Sequence, residues 1–194
     1  EAEGKPLKNI ALTTGRGTER GELMVTRYGL EGTPIYMLGE AGPAFLDLKP
    51  DLSKEDILKK LSSLKKKMSP IRCVQHALNL CPAAFALLYH GTNTDQKKSL
   101  EKMTGLIKKF PLTFKNPRPL DEAISSAGGL KLDELDKNLM LKKIPGVFVA
   151  GEMLDWDAPT GGFLIQACVS QGFVAGRGMV NSIQSRVTAV TDIL

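Results

Sequence analysis

Aromatic residues make up only 6% of the 194 residues, and there are three cysteines, two histidines and a single tryptophan. Three scattered cysteines (Cys73, Cys81, Cys168) cannot build a disulfide framework, so a reducing cytoplasm is the expected setting. Two histidines do not supply a convincing Ser/His/Asp triad. Cys73, His76 and Cys81 lie close together, but no second Cys/His pair completes a zinc set, so they are expected to be packed helix residues. Cys81 likewise has no base in view to make it a nucleophile. No apolar run approaches the roughly 20 residues of a membrane span, and no signal-peptide pattern is present. What remains, 42% hydrophobic and 24% charged residues, is ordinary globular composition.

The net charge of +5 invites a nucleic-acid reading, but it is unevenly spread. Residues 1–50 carry −1, residues 51–110 carry +7, residues 111–143 carry +1 and residues 144–194 carry −2. The excess is mostly lysine (Lys59, Lys60, Lys65, Lys66, Lys67, Lys97, Lys98, Lys102, Lys108, Lys109), interleaved with an apolar stripe. That pattern is the solvated face of amphipathic helices. The basic segment 51–110 holds a single arginine, Arg72, and no aromatic stacking platform or known helical reader, so nucleic acid is not the expected partner.

Along the chain, residues 9–14 and 22–27 read as strands of a hairpin, with Gly15-Arg-Gly17 as its loop rather than a nucleotide-binding glycine motif. Thr33 reads as an N-cap with Pro34 at the first helical position, opening a short helix through residues 35–38. Residues 43–48 form another strand. The period then changes. Ser53 and Asp56 make a capping-box pair, and Ile57, Leu58, Leu61, Leu64 and Met68 follow at helical spacing until Pro70. Residues 71–80 continue helically, Pro82 restarts a helix over 83–89, and Leu100, Met103, Leu106, Ile107 and Phe110 mark a third amphipathic helix. Strand character returns at 112–114 and 123–126, and Gly128-Gly129 is a turn. Residues 145–151 read as a compact apolar strand, and a glycine-bearing apolar helix runs from about 162 to 187.

The run from Gly146 to Phe163 carries the chemistry. A buried strand ends in Gly151-Glu152, a loop holds Asp155, Trp156 and Asp157, and Thr160-Gly161-Gly162 opens a helix. Helix starts present free N–H groups and a positive dipole end, and glycines let a ligand approach the backbone. A carboxylate at a strand's carboxyl end can accept hydrogen bonds from ligand hydroxyls. The bland reading of the same residues is a tight strand-to-helix turn.

This run resembles the C-terminal FAD-binding signature of a family of bacterial flavoproteins that includes BaiN-like and aminoacetone-oxidase-like proteins, in the glutathione-reductase-type FAD superfamily. Thr26-Arg-Tyr-Gly29-Leu30-Glu31-Gly32 resembles the family's T-x-x-G-L-S-G segment, with Glu31 in place of serine. Ala123-Ile-Ser-Ser126-Ala-Gly128-Gly129 resembles its A-x-V-T-x-G-G segment, with Ser126 in place of threonine. The resemblance implies that Gly151 and Glu152 line the ribityl-phosphate part of FAD, Glu152 accepting from hydroxyls. It implies that Thr160, Gly161, Gly162 and Phe163 form the turn facing the flavin's pyrimidine edge, where a positive helix end stabilises charge on the reduced ring. Asp155, Trp156 and Asp157 either border the reaction pocket or brace the loop.

The expected fold is α+β. Residues 1–140 form a β-rich insert, or substrate, domain with a helical cluster at 51–110. Residues 141–194 are the strand and long helix that complete a Rossmann-like FAD-binding domain. Gly172, Gly176 and Gly178 in that helix make sense if it packs tightly against a sheet or cofactor. The superfamily's N-terminal strand–GxGxxG–helix unit is absent from these residues. With Glu1 rather than Met at the start, the chain is expected to be the C-terminal part of a larger FAD-dependent oxidoreductase. Its implied partners are the N-terminal Rossmann half and a small organic substrate, and it is expected to be inactive alone. The alternative is a non-enzymatic module binding a partner or polyanion through the lysine-rich helices, Lys65, Lys66 and Lys67 above all.

Overall fold

The computed structural model describes residues 2–63, 68–158 and 162–191, with side chains in the last helix as far as Ser185. Two compact units divide the chain, Glu1–Pro117 and Arg118–Leu194. Among the described residues no helix is long and apolar enough to cross a membrane.

The first unit is built on a five-stranded antiparallel sheet of order β3-β2-β1-β4-β5. Strands β1 (Pro6–Thr14) and β2 (Gly17–Val25) form the expected hairpin, closed by Gly15 and Arg16. Strand β1 begins three residues before the alternation predicts, because a β-bulge hides its start. Lys8 and Asn9 together face one residue of β2, and Asn9 takes φ +49°, a left-handed value that Asn tolerates. The extra residue restores the inward phase, so Leu7 and Ile10 are both buried although they stand three apart. Asn9 Nδ2 then donates to Asp51 Oδ2 at 2.6 Å, and Arg20 Nη1 donates to Asp51 Oδ1 at 2.9 Å.

Strand β3 (Leu30–Glu31) leads into helix α1 (Thr33–Leu38). Gly32, not Thr33, holds the cap position. Its φ is +126° and a Cβ there would lie 2.4 Å from the Glu22 carbonyl oxygen, so the chain needs glycine at the point where a threonine cap was expected. Strand β4 (Gly42–Asp47) pairs with β1 and with β5 (Phe110–Phe114). Pro111 is tolerated because β5 is an edge strand, with one side of its backbone unpaired.

Between β4 and β5 lie α2 (Lys54–Ser62), α3 (Pro70–Ala77), α4 (Pro82–His90), α5 (Thr94–Lys97) and α6 (Leu100–Lys108). Helix α2 ends at Ser62 and Met68 lies in no helix; Leu64, Lys65, Lys66 and Lys67 lie outside the described residues. Pro70 and Pro82 act as starters, each in the first turn where its missing N–H costs nothing. Phe110, expected to close the third amphipathic helix, instead opens β5 opposite Leu46. Ile57, Leu61, Leu88, Met103 and Ile107 bury fully with Leu12 and Leu46 in one core.

One lysine of the supposed solvated face is not solvated. Lys108 Nζ lies 2.7 Å from Asp47 Oδ2 and donates to the carbonyls of Lys49 and Leu52, its side chain only 16% exposed. The β4–α2 corner folds around it, which helical periodicity alone could not show. Lys109 lies with its ammonium 4.3 Å from the centre of the Phe45 ring.

The Ser53/Asp56 capping box forms as expected: Asp56 N donates to Ser53 Oγ at 3.0 Å, and Asp56 Oδ2 accepts from Ser53 N and Oγ. The bonds from the Ser53 side chain and backbone hold the Asp56 carboxyl below the usual carboxylate range. A folded value below the unfolded one contributes stability above about pH 4 that is lost as pH falls through the depressed value. We expect Asp56→Asn to flatten the acid limb of the stability curve below about pH 4; an unaltered limb by urea titration would remove this contribution.

The second unit has no multi-rung strand ladder among its described residues. Its regular parts are 3-10 turns at Leu120–Glu122, Leu132–Glu134 and Gly151–Met153, and helix α7 (Phe163–Thr191). Residues 123–126 are not a strand; Ile124 is 79% exposed. Residues 145–151 do not form the expected strand either. They are held by a single antiparallel bridge, Met140 with Phe148, and by Leu141 N to the Val147 carbonyl and Val149 N to the Leu139 carbonyl. An apolar run becomes a strand only when a neighbour supplies a full row of partners, and residues 139–141 supply a few. Leu135, Val149 and Leu154 bury together beneath Leu139, Leu141 and Trp156.

Candidate functional site

Two motifs separated by some twenty residues meet in the second unit. Leu130, just after Gly128-Gly129, forms a parallel bridge with Leu154. Leu130 N donates to the Met153 carbonyl at 2.9 Å, and Asp155 N donates to the Leu130 carbonyl at 2.7 Å. Gly129, at φ +133°, lies so close that a Cβ would fall 2.4 Å from the Met153 carbonyl oxygen. Only glycine permits this approach. The fully buried Leu154 anchors the other side.

The 3-10 turn Gly151–Met153 thus stands on two supports, the glycine pair and the small core. A third comes from α7. Gly151 takes φ +84°; its N–H donates to Gln171 Oε1 at 2.8 Å, and its carbonyl accepts from Trp156 Nε1 at 2.9 Å. Both backbone groups of Gly151 are therefore engaged inside the unit. Its contribution is the shape of the turn rather than a free hydrogen-bonding group. Glu152 is exposed, its carboxylate in no hydrogen bond to a described residue. Of the loop acids, Asp155 is exposed and Asp157 Oδ1 accepts from Ala158 N at 2.8 Å. Trp156 is a brace, its indole N–H spent on Gly151.

Gly162 and Phe163 begin α7, where Gln166 N donates to the Gly162 carbonyl at 2.9 Å. A Cβ at Gly162 would meet no described residue within 4 Å, and Phe163 is exposed. The first amides of a helix have no partner within the helix itself. Thr160 and Gly161 lie outside the described residues.

Helix α7 has two contrasting faces. Gly178 packs hard, a Cβ there meeting Asn138 Cβ at 2.8 Å and the Phe148 ring at 2.9 Å, and Ala175 is buried nearby in the helical order. Cys168 and Gln171 share that side by their three- and four-residue spacing. The other side carries Ile165, Val169, Phe173, Val180 and Ile183, between 53% and 72% exposed. Gly172 and Gly176 lie in the same stripe, with open space where a Cβ would be. The tight packing expected of three glycines is present here at Gly178.

Cys73 is buried in the first unit's core and its thiol reaches toward the Met68 carbonyl at 3.7 Å. Among the described residues no group of three or more His, Cys, Asp or Glu is placed to hold a metal. Gln171 is the functional candidate that sequence reasoning passed over. It is the polar position on an otherwise small-residue face, which a helical projection of 168–178 displays.

A family model described as the HI0933-like protein Rossmann domain matches residues 14–178. The 3-dehydro-bile acid delta(4,6)-reductase of Clostridium scindens is 22% identical over 191 residues, covering 87% of this chain and 47% of that protein. The chain thus spans about half the length of this curated relative.

Proposed function

The chain belongs to the HI0933-like Rossmann-domain family, and from that premise we propose that it is the flavin-contacting C-terminal part of an FAD-dependent oxidoreductase. The observation that carries the reading is the junction of Gly128-Gly129 with residues 151–155, two flavoprotein-like motifs joined backbone to backbone. That junction leaves the Glu152 carboxylate exposed.

The donor set suits FAD. An exposed carboxylate on a rigid turn is an acceptor for ribityl or ribose hydroxyls. The glycine-opened start of α7, with Gly162, Phe163 and by resemblance Thr160 and Gly161, offers N–H donors to the pyrimidine edge or another electron-rich group. FAD when bound supplies the electron and hydride transfer. The protein's part is to hold it: Glu152 anchors hydroxyls, Gly151 shapes the turn, and the helix start directs a positive dipole end at the ring.

Under this reading residues 1–140 are an insert that faces a small organic substrate, and residues 141–194 rejoin the flavin domain. The reductase similarity favours a reductive reaction on such a substrate. The exposed stripe of α7 favours a missing half: a helix of a doubly wound domain buries such a stripe on a parallel sheet. The apolar residues 146–150, short of ladder partners, suit a strand of that same sheet. Standing alone, the chain is proposed to be inactive.

Co-expression with a polypeptide supplying the strand–GxGxxG–helix half should give protein that retains flavin absorbance through gel filtration. Glu152→Ala in that protein should weaken FAD binding by about tenfold or more, the loss of a charge-assisted hydrogen bond. Colourless protein, or unchanged affinity in the variant, would overturn the respective assignment.

A further inference from the structure

The turn that presents Glu152 is held by two side chains from outside it. Glycine at φ +84° is conformationally free, and the nearest atom to a would-be Cβ is Cys168 Sγ at 3.8 Å, so van der Waals contact does not set this peptide. Hydrogen bonds do. Gln171, twenty residues on and rooted in α7, accepts the Gly151 N–H, and Trp156 donates to the Gly151 carbonyl. The orientation of the Gln171 amide is not arbitrary, because a backbone N–H can only donate and must face the carboxamide oxygen. Both residues are half-buried, which shields the two bonds from competing water.

We propose that Gln171 and Trp156 are positioning residues that fix the two peptide groups flanking Gly151, Trp156 alongside the Leu154 N–H of the turn itself, and so aim the Glu152 carboxylate at its ligand hydroxyls. The inference rests on the flavin reading above and adds to it a cause for Glu152's orientation. Glu152 binds; Gln171 and Trp156 act through it. A carboxylate on a mobile glycine turn would have to be ordered by its ligand at each binding event, an entropic cost that the two bonds remove in advance. The arrangement also ties the hydroxyl-binding turn to the helix whose first residues offer N–H donors.

The test is a double-mutant cycle in the flavin-binding full-length protein, with FAD affinity read by fluorescence titration of the apoprotein and Gly151 amide exchange read by NMR. Gln171→Met keeps the side-chain length and loses the strong acceptor. Trp156→Phe keeps the ring and loses the donor. Each should weaken FAD by about three- to tenfold, the worth of one hydrogen bond, and Gln171→Met should speed exchange of the Gly151 amide. Glu152→Ala supplies the reference. Combined with Glu152→Ala, neither variant should weaken FAD further, because residues acting through one group are not additive. Losses that multiply in full, or an unchanged affinity in both single variants while Glu152→Ala weakens binding, would overturn the positioning role. An unchanged affinity in Glu152→Ala would instead overturn the hydroxyl contact, and with it this inference. Should Gln171→Met fail to fold, Trp156→Phe carries the cycle by itself.

Discussion

Gly129→Ala should cost the second unit about 3 kcal/mol or more, far beyond a typical surface change. The new methyl carbon would sit 2.4 Å from the Met153 carbonyl oxygen, a backbone atom that cannot swing away as a side chain can. Relief requires parting Leu130 N from the Met153 carbonyl and Asp155 N from the Leu130 carbonyl, the two bonds that join the motifs. The positive φ of +133° adds strain of its own. Gly128→Ala is the control: Gly128 has φ +102° but open space around it, so it meets the strain without the collision. Urea denaturation of both variants, followed by FAD retention in the full-length protein, separates these contributions. Equal losses in the two would show that the contact with Met153 does not matter.

Leu12→Ala should destabilise the first unit by about 2–5 kcal/mol, the range for emptying a well-packed leucine site. Leu12 is fully buried on β1, paired with Glu19 of β2 on one side and Leu46 of β4 on the other. A cavity in a central strand has little room to collapse, since both flanking strands are fixed by their ladders. Lys8→Ala, exposed in the β-bulge of the same strand, should change stability by less than about 0.5 kcal/mol. Denaturant midpoints for the pair measure the contrast, and a Leu12→Ala loss below 1 kcal/mol would contradict the packing described.

Local signals proved readable wherever one residue and its near neighbours decide the outcome. The hairpin at Gly15-Arg16, the capping box at Ser53, the prolines bounding helices and the long apolar segment of α7 are all of this kind. Their hydrogen bonds close within a few residues. Elements that need a distant partner were read less well. Residues 145–151 have the composition of a buried strand, but a strand exists only where another backbone pairs with it, and in this chain they meet a few rungs. Phe110 has helical spacing from Ile107, yet Leu46 draws it into β5. Lys108 reads as one more solvated lysine until the β4–α2 corner closes on it.

The same division runs through the site. Gly151, Glu152, Gly162 and Phe163, the residues proposed for the site, can be singled out from residue order because they fall in one short contiguous run. Gln171 cannot, because its partner is twenty residues away and only the docking of α7 brings the two together. The meeting of Gly128-Gly129 with residues 151–155 was invisible for that reason as well.

The scarcities with which the sequence begins narrow the expectations unaided. Few cysteines, few histidines and no long apolar run left little scope for disulfide, zinc-cluster or membrane-spanning helical architectures, and contiguous motifs pointed to a flavin-type site. Composition and short-range order carry expectations of this kind because they need no knowledge of the chain's path. The tertiary structure alone decided which lysine is buried, which glycine tolerates no methyl group, and which side chains grip the turn behind Glu152. Those depend on atoms brought within 3 Å across long stretches of chain, and no local pattern records such a distance.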